Sequence, residues 1–384
     1  MVNTKYFVQC STGKDSEASV WWAYHNLPFE SWEIIFCDVD WDNKAVYEHL
    51  KYLESRTGKK AIVLKSKGFK DKISKEVQKK IIEIFGEENV FAEMVIAKTR
   101  FPSTKKRFCT EVLKTTPTVD FILDHVKSDC VMIQGVRAEE SLARRFLSEK
   151  DDYFKFYVEP YGYDKNKKPK YHTYRKKEVL EYIEKYDCQV LRPIIKLSAN
   201  DVFNIIFENN SPANKLYSQG SKRVGCFPCI MCSLSEIKQI IKIEPKKLEQ
   251  LEQLEQLGNS TFFPPGYIPE RFCSKKAKVN VYPDDLIRLF GFKEKKIKKN
   301  NDQPLIFDLE KSKNPEKILF ERYFRNEKIP VYLDDEGDEY IVRVVKVPTI
   351  PDVVKYVSEN PNQVDLIPMS SGCVSVYNIC DSPK

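Results

Sequence analysis

The first half of the chain alternates short apolar runs with longer mixed segments. Apolar runs of this length, rich in aliphatic and aromatic residues, are typical of buried strands. They predict strands at residues 6–10, 32–38, 61–64 and 130–135. The mixed segments predict helices at residues 17–23, 44–57 and 70–86, and the segment 44–57 is amphipathic.

This order of strands and helices predicts an α/β fold. Right-handed helical crossovers between successive strands give a parallel sheet with helices on both faces. Ligands of such sheets bind at the carboxyl ends of the strands. We therefore expect residues 11–16, 38–40 and 135–137, which follow three of the predicted strands, to meet in one cleft.

The pattern changes after residue 233. Leucines recur every three residues from Leu248 to Leu257, a period that drifts around a helix of about 3.6 residues per turn. This spacing predicts an ordinary helix rather than a coiled coil. Residues 331–347 are β-rich with a break at 334–338, which predicts a hairpin.

We predict three parts in the chain. They are a domain at 1–235, a helical segment with a basic linker at 236–300, and a small α+β appendage at 301–384. Residues 165–170 are charged and predict an exposed loop.

The composition is that of a globular protein with room for more than one domain. The chain has 384 residues, of which 42% are hydrophobic and 31% are charged. No apolar run approaches the roughly 20 residues of a membrane span, and we find no signal segment, so we expect a cytoplasmic protein without a membrane partner. The net charge of +7 suits a nucleotide or another polyanion.

Residues 10–16, Cys-Ser-Thr-Gly-Lys-Asp-Ser, join the first predicted strand to the first predicted helix. A strand that breaks at a glycine and continues as a helix directs backbone N–H groups at an anion. Lys14 adds a positive charge, and Asp15 would hold Mg²⁺ or cap the helix. The Walker pattern G-x-x-x-x-G-K-[ST] is absent, and an ordinary strand-to-helix turn is the alternative interpretation. The predicted phosphate-binding residues are Ser11, Thr12, Gly13, Lys14, Asp15 and Ser16.

Arginines follow the strand predicted at 130–135, beginning with Arg137. Guanidinium groups bind oxyanions through two parallel hydrogen bonds, so this motif suits phosphate or sulfate. Further along, residues 192–195 predict a strand that is followed by a capped helix from Ser198. The predicted nucleotide site also includes Asp38 and Asp40, for Mg²⁺ or the ribose, and Lys114, Gly135, Arg137, Arg144 and Arg223.

Five motifs occur in a fixed order along the chain. They are the loop at 11–16, R-x-C-T-x-x-L-K at 107–114, G-x-R-x-x-E-S at 135–141, R-P-I at 192–194, and N-x-L-Y-x-x-G with G-C-x-x-C at 214–229. Over about residues 5–235 this order resembles the phosphoadenosine phosphosulfate (PAPS) reductase family of the PP-loop ATP pyrophosphatases. The resemblance implies a PP-loop, HUP-like variant of the Rossmann fold that binds ATP, PAPS or adenylylsulfate (APS).

Two features depart from the reductases. The ending Lys14-Asp15-Ser16 is closer to the small subunit of ATP sulfurylase and to the sulfurtransferase of DNA phosphorothioation. The terminal Glu-Cys-Gly motif of the reductases is absent, although Cys373 and Cys380 lie near the end.

These departures favour an enzyme that cleaves ATP at the α-phosphate to activate an acceptor for sulfur transfer. Lys14, Asp15 and Arg137 are the predicted catalytic residues, with the two cations neutralising charge on the leaving pyrophosphate. A sulfur donor protein and a nucleic-acid acceptor are candidate partners. The alternatives are a PAPS or APS reductase using Cys373 or Cys380, and a non-catalytic module that binds adenylyl nucleotides.

Three of the 11 cysteines, Cys226, Cys229 and Cys232, form C-x-x-C-x-x-C. Thiolates at this spacing can bind one metal centre, and in a chain with no export signal a disulfide framework is disfavoured. The resemblance to iron–sulfur APS reductases implies a [4Fe–4S] cluster with Cys109 as fourth ligand, and Cys273 competes for that place. Zn²⁺ is the alternative metal, and buried thiols without a metal are the third interpretation. Cys10, Cys37, Cys130 and Cys188 lie in apolar runs and are predicted to be core residues.

Overall fold

The computed structural model describes residues 4–104, 106–163, 167–281, 331–333 and 339–360. These residues divide into two compact units. The first contains the described parts of Met1–Gly162, Pro169–Phe263 and Thr349–Lys384, and the second contains those of Tyr163–Lys168 and Pro264–Pro348. The predicted boundary at residue 300 lies outside the described residues, as do the basic linker, Cys373 and Cys380.

The centre of the first unit is a six-stranded sheet. Its strands are β1 (Lys5–Gln9), β2 (Trp32–Asp38), β3 (Ala61–Lys65), β4 (Cys130–Gln134), β5 (Lys150–Asp152) and β8 (Cys188–Leu191). The spatial order is β3-β2-β1-β4-β8-β5, and all pairs are parallel except the last. Two short strands pair with each other, β6 (Gly162–Tyr163) and β7 (Pro169–Lys170). The end of the predicted loop at 165–170 is therefore β7, and residues 165 and 166 lie outside the described residues.

Helices connect the strands. They are α1 (Lys14–Asn26), α2 (Lys44–Thr57), α3 (Lys75–Phe85), α4 (Val90–Ala97), α5 (Phe108–Thr110), α6 (Thr116–His125), α7 (Leu142–Arg145), α8 (Lys155–Val158), α9 (Lys176–Ile183), α10 (Ala199–Glu208), α11 (Lys215–Ser218), α12 (Leu234–Ile243), α13 (Pro245–Leu257) and α14 (Ile350–Glu359). A π-helical turn, Glu111–Thr115, joins α5 to α6.

Local sequence signals explain where several helices begin and end. Asn43 caps α2 through its side chain, and Gly58 ends that helix in the left-handed conformation at φ = 70°. Ser198 and Asp201 form a capping box at the start of α10. The helix predicted at 70–86 is a short 3₁₀ turn followed by α3, which Gly86 ends.

The helices cover both faces of the sheet, which confirms the predicted α/β architecture. Side chains of β1 alternate between the two faces. Val8 packs with Ala18 and Trp21 of α1 in one core, and Phe7 packs with Val119 of α6 in the other. A buried side chain of the size of Val8 or Phe7 contributes about 1.5–3 kcal/mol through removal of apolar surface from water.

One strand of the sheet was not predicted from the sequence, and another was placed wrongly. The antiparallel edge strand β5 was not foreseen, because its sequence Lys-Asp-Asp carries no apolar signal. The strand predicted at 192–195 ends instead at Leu191, and the following residues form a turn. Pro193 has no N–H to donate to a strand ladder, which explains the early end.

The leucine-rich segment forms the predicted helix, α13. Leu248, Leu251 and Leu254 are buried. Next to them, the buried carboxylate of Glu255 accepts hydrogen bonds from the backbone N–H groups of Phe262 at 2.7 Å and Ile350 at 3.0 Å. This carboxylate therefore ties α14 to the end of the α13 segment.

The second unit contains an antiparallel sheet of three strands in the order β10-β11-β9. These are β9 (Lys275–Val281), β10 (Val331–Leu333) and β11 (Glu339–Val347). The pairing of β10 with β11 confirms the predicted hairpin, whereas β9 was not predicted.

Within the described ranges, no helix combines the length and the apolar character needed to cross a membrane.

Candidate nucleotide-binding site

The loop between β1 and α1 is closed around one hydroxyl group. Ser16 Oγ accepts a hydrogen bond from the Ser11 N–H at 3.1 Å and donates to the Gly13 carbonyl at 2.9 Å. Thr12 is fully buried and lies in the left-handed region at φ = 60°, which is unfavourable for a threonine. The side-chain amide of Asn214 donates to Thr12 Oγ1 at 3.2 Å, so a distant segment holds this residue in place.

The N-terminus of α1 faces a tyrosine. Gly13 is the N-cap and supplies no side-chain hydrogen bond. The Lys14 N–H donates instead to the hydroxyl oxygen of Tyr217 at 2.8 Å. A Cβ atom at Gly13 would lie 3.5 Å from both that hydroxyl and the Val224 carbonyl, so residues 217–224 pass next to the loop.

Asp15 joins two cations in front of this helix end. Its carboxylate accepts from Lys14 Nζ at 2.9 Å and from Arg137 Nε. Arg137 also donates to Glu139 at 2.6 Å and its side chain is only 5% exposed. The two positive groups predicted to bind phosphate therefore lie together, balanced by carboxylates of the protein.

Gly135 allows the end of β4 to approach α1. A Cβ atom there would lie 2.5 Å from the Asp15 carbonyl oxygen and 2.6 Å from Ser16 N. Both of these are backbone atoms that cannot move independently of the helix. Only glycine fits, and this close approach is what brings Arg137 to Asp15.

The acidic residues at the end of β2 differ in their surroundings. Asp40 forms an ion pair with Lys65 at 2.7 Å and accepts from the Val90 N–H at 2.9 Å, so it links β2 to β3 and α4. Asp38 accepts from the Tyr47 hydroxyl at 2.8 Å and from the Asp40 N–H at 3.1 Å. These contacts do not bring either aspartate side chain to the loop at 10–16.

The other predicted arginines occupy different positions. The Arg144 guanidinium is buried and forms an ion pair with Glu140. Arg223 is exposed and directly precedes Val224, whose carbonyl lies beside Gly13. Arg223 is therefore at the rim of the loop, while Arg144 is engaged within its own helical segment.

The segment that begins at Cys226 pairs with the chain just beyond β2. Cys226 and Asp42 form an isolated antiparallel bridge. The Phe227 N–H donates to the Trp41 carbonyl at 2.8 Å, and Trp41 Nε1 donates to the Pro228 carbonyl at 2.9 Å. The cysteine motif is thus anchored at the carboxyl edge of the sheet.

Lys114 is a cation that interacts with several groups of this region. The electrostatic interaction with Cys226 raises the pKa of Lys114, and Asp42 acts in the same direction. Burial raises the pKa of Asp42 to about 6 and that of the Cys109 thiol to about 11. Cys37, predicted as a core residue, lies here too, with Sγ 3.7 Å from the Lys114 carbonyl.

Among the described residues, no three His, Cys, Asp or Glu side chains come together in an arrangement that could hold a metal ion. Cys109, Cys226 and Cys229 are near enough for their charges to interact, but as they stand they do not fit a metal centre. Cys232 is buried, and its N–H donates to the Cys229 carbonyl at 2.9 Å. Cys273 belongs to the second unit, where its Sγ lies 3.8 Å from the Pro269 carbonyl.

Sequence reasoning assigned no role to Asn214 and Tyr217, although both belong to the N-x-L-Y motif. Their contacts with Thr12 and Lys14 span about two hundred residues of chain, 202 and 203 positions respectively. The motif was a signal that this segment matters. No periodicity or spacing rule could have connected it to the loop at 10–16.

A mostly parallel sheet with a strand–loop–helix connection after β1 is the arrangement of a PP-loop type of nucleotide-binding domain. The chain belongs to the phosphoadenosine phosphosulfate reductase domain family, whose model matches residues 5–232. This confirms the family and the fold class that the motifs predicted.

Several known proteins are similar to this chain. An uncharacterized 37.8 kDa protein from the gpa 5′ region of Escherichia phage 186 is 29% identical over 304 residues, covering 70% of this chain and 82% of that protein. Protein MJ0066 of Methanocaldococcus jannaschii is 23% identical over 197 residues, covering 51% and 30% of the two chains. The PAPS reductase of Candida auris, solved with phosphate, aligns with a TM-score of 0.37 at 14% identity, over 59% of this chain and 83% of that one.

Proposed function

We propose that this chain is an enzyme that binds ATP through residues 10–16 and splits it between the α- and β-phosphates. The observation that carries the proposal is the meeting of Lys14 and Arg137 on Asp15 in front of α1. Two cations and a helix N-terminus directed at one point suit a polyphosphate. Asp15 holds the two cations in place, and the phosphates of the nucleotide would bind to their remaining N–H groups.

In the proposed reaction, a nucleophilic oxygen of the acceptor attacks the α-phosphorus. The bond from that phosphorus to the oxygen bridging the β-phosphate breaks, and pyrophosphate leaves with the electron pair. Lys14 and Arg137 would stabilise the negative charge on this leaving group. The acceptor is left adenylylated, and a sulfur nucleophile supplied by a donor protein would then displace AMP.

Sulfur transfer is supported by the Lys14-Asp15-Ser16 ending, which is similar to the loops of ATP-splitting and sulfur-transferring PP-loop proteins. A nucleic acid is one candidate acceptor. Mg²⁺ usually binds substrate phosphates together with one or two carboxylates. Asp38 is the proposed carboxylate, since Asp40 is engaged with Lys65 and Val90.

A [4Fe–4S] cluster on Cys109, Cys226, Cys229 and Cys232, with Zn²⁺ as the alternative, stays a prediction. No step of the proposed reaction depends on it.

The second candidate function is reduction of PAPS or APS, which membership of this family favours. Its nucleophile would be Cys373 or Cys380. A third candidate is a module that binds adenylyl nucleotides without turnover.

Product analysis separates these functions. The proposed enzyme releases pyrophosphate and AMP from ATP, a reductase releases sulfite from PAPS with a thiol reductant, and a binding module releases neither. Lys14→Ala should abolish pyrophosphate release because the phosphate-binding charge is lost. Lys44→Ala is the matched control, since the Lys44 side chain is 86% exposed and forms an ion pair with Glu48 one helical turn away. Normal turnover in Lys14→Ala, with both variants folded by circular dichroism, would remove the loop from the mechanism.

A further inference from the structure

The hydroxyl of Tyr217 is placed where an oxyanion would meet α1. It accepts the hydrogen bond of the Lys14 N–H at 2.8 Å, and this is the first backbone amide of the helix. First-turn amides lack partners within their own helix and commonly donate to caps or ligands. The Tyr217 hydroxyl therefore binds a backbone amide that could otherwise donate to an anion.

The segment that carries Tyr217 is rigidly attached to the loop. Asn214 caps α11 and donates both to Thr12 Oγ1 and to the Ala45 carbonyl, each at 3.2 Å. The Tyr217 ring packs edge-on against Phe203, with ring centroids 5.5 Å apart. The hydroxyl is thus held by packing and hydrogen bonds on both sides.

The phenol keeps its own proton for a further partner. The phenol oxygen accepts the hydrogen bond from the Lys14 N–H. In the described part of the chain, no hydrogen bond is found in which the Tyr217 hydroxyl donates its proton. A phenol has one O–H donor in addition to its lone pairs. Burial raises the pKa of Tyr217, so the donor persists at all working pH values.

We infer that Tyr217 is a ligand-binding residue that donates its hydroxyl proton to a phosphate or sulfate oxygen of a nucleotide held at the N-terminus of α1. The inference rests on the proposed function, because it requires an adenine nucleotide in this loop. Tyr217 would recognise the oxyanion part of the ligand and not the nucleoside part. The polar end of the N-x-L-Y motif thereby becomes part of the phosphate site.

The test compares Tyr217→Phe with the wild-type protein in titrations with ATP and with adenosine. Phenylalanine keeps the ring contact with Phe203 and removes only the hydroxyl. A hydrogen bond to a charged acceptor predicts about tenfold weaker ATP binding, with adenosine binding unchanged. Tyr52→Phe is the matched control, because the Tyr52 hydroxyl donates to the Asn210 carbonyl at an exposed position.

Each outcome decides between the two proposals. Equal ATP affinity in wild-type and Tyr217→Phe protein, or tighter binding by the variant, would overturn the role of Tyr217 alone. A parallel loss of ATP and adenosine binding would also overturn it, because that pattern indicates a structural defect. A wild-type protein that binds no ATP at all would overturn the proposed function and, with it, the role of Tyr217.

Discussion

Replacing Gly135 by alanine should both destabilise the first unit and weaken nucleotide binding. The added Cβ would lie 2.5–2.6 Å from three backbone atoms, the Asp15 carbonyl carbon and oxygen and Ser16 N, whereas ordinary contacts begin at 3.4 Å. An overlap of almost 1 Å cannot be relieved by a side-chain rotation. β4 or the first turn of α1 must move.

The expected loss in the free energy of unfolding depends on the pairing and packing that resist this movement. β4 is paired with β1 on one side and β8 on the other, and α1 is packed into one of the two cores through Ala18 and Trp21. Overpacking usually costs about 1–3 kcal/mol where side chains can adjust. Because only backbone can adjust here, we expect a loss of about 3 kcal/mol in the free energy of unfolding.

Urea unfolding followed by tryptophan fluorescence measures this loss. The four tryptophans, at positions 21, 22, 32 and 41, all lie in the first unit, so the signal reports on that unit. Gly162→Ala is the control, since a Cβ there has no neighbour within 4 Å, and a change within about 0.5 kcal/mol is expected. If Gly135→Ala is as stable as this control and binds ATP normally, the argument from close approach is refuted.

Three further predictions concern an arginine, a histidine and the cysteines of the predicted metal centre. Arg137→Lys should weaken ATP binding by about 1–3 kcal/mol in a calorimetric titration, because a point charge replaces a bidentate donor, and an unchanged Kd would place Arg137 outside the site. Burial lowers the pKa of His172 from 6.5 to about 4, so its contribution to stability is present above pH 6.5 and is lost as the pH falls towards 4. Between pH 6.5 and 4, the free energy of unfolding of His172→Gln should therefore fall by about 2 kcal/mol less than that of the wild-type protein. Equal pH dependence in the two proteins would contradict a lowered pKa of His172. Elemental analysis of protein purified without oxygen tests the predicted metal centre: iron and sulfide, or zinc, that Cys226→Ser loses would support it, and protein without any metal would end it. Iron kept by Cys109→Ser but lost from Cys273→Ser would reassign the fourth ligand.

Much of the first unit could be predicted because its strands and helices are signalled locally. β2 and α2 begin and end where the pattern placed them, since burial imposes a period on consecutive residues and Asn43 and Gly58 mark the helix ends. The loop at 10–16 was recognised for a similar reason. The break at Gly13 between an apolar run and a helix is contained in a few adjacent residues.

Other predictions depended on which distant groups became neighbours. Asp38 and Asp40 were equivalent in the sequence, yet only Asp40 is tied to Lys65 of β3 and the N-terminus of α4. The four cysteines of the predicted metal centre have suitable spacing, but in the described residues their side chains do not converge as ligands. Spacing along the chain constrains local reach and leaves the directions of side chains undetermined.

The sequence by itself therefore determined the class of fold, the position of the loop between β1 and α1 and the family to which the chain belongs. Each of these is encoded in short stretches whose conformation follows from local burial, capping and glycine. Only the tertiary structure decided that Asp15 would join Lys14 to Arg137, and that Tyr217 would meet the first amide of α1. Those partnerships arise because sheet order and helix packing bring together groups more than a hundred residues apart, and no one-dimensional pattern records that geometry.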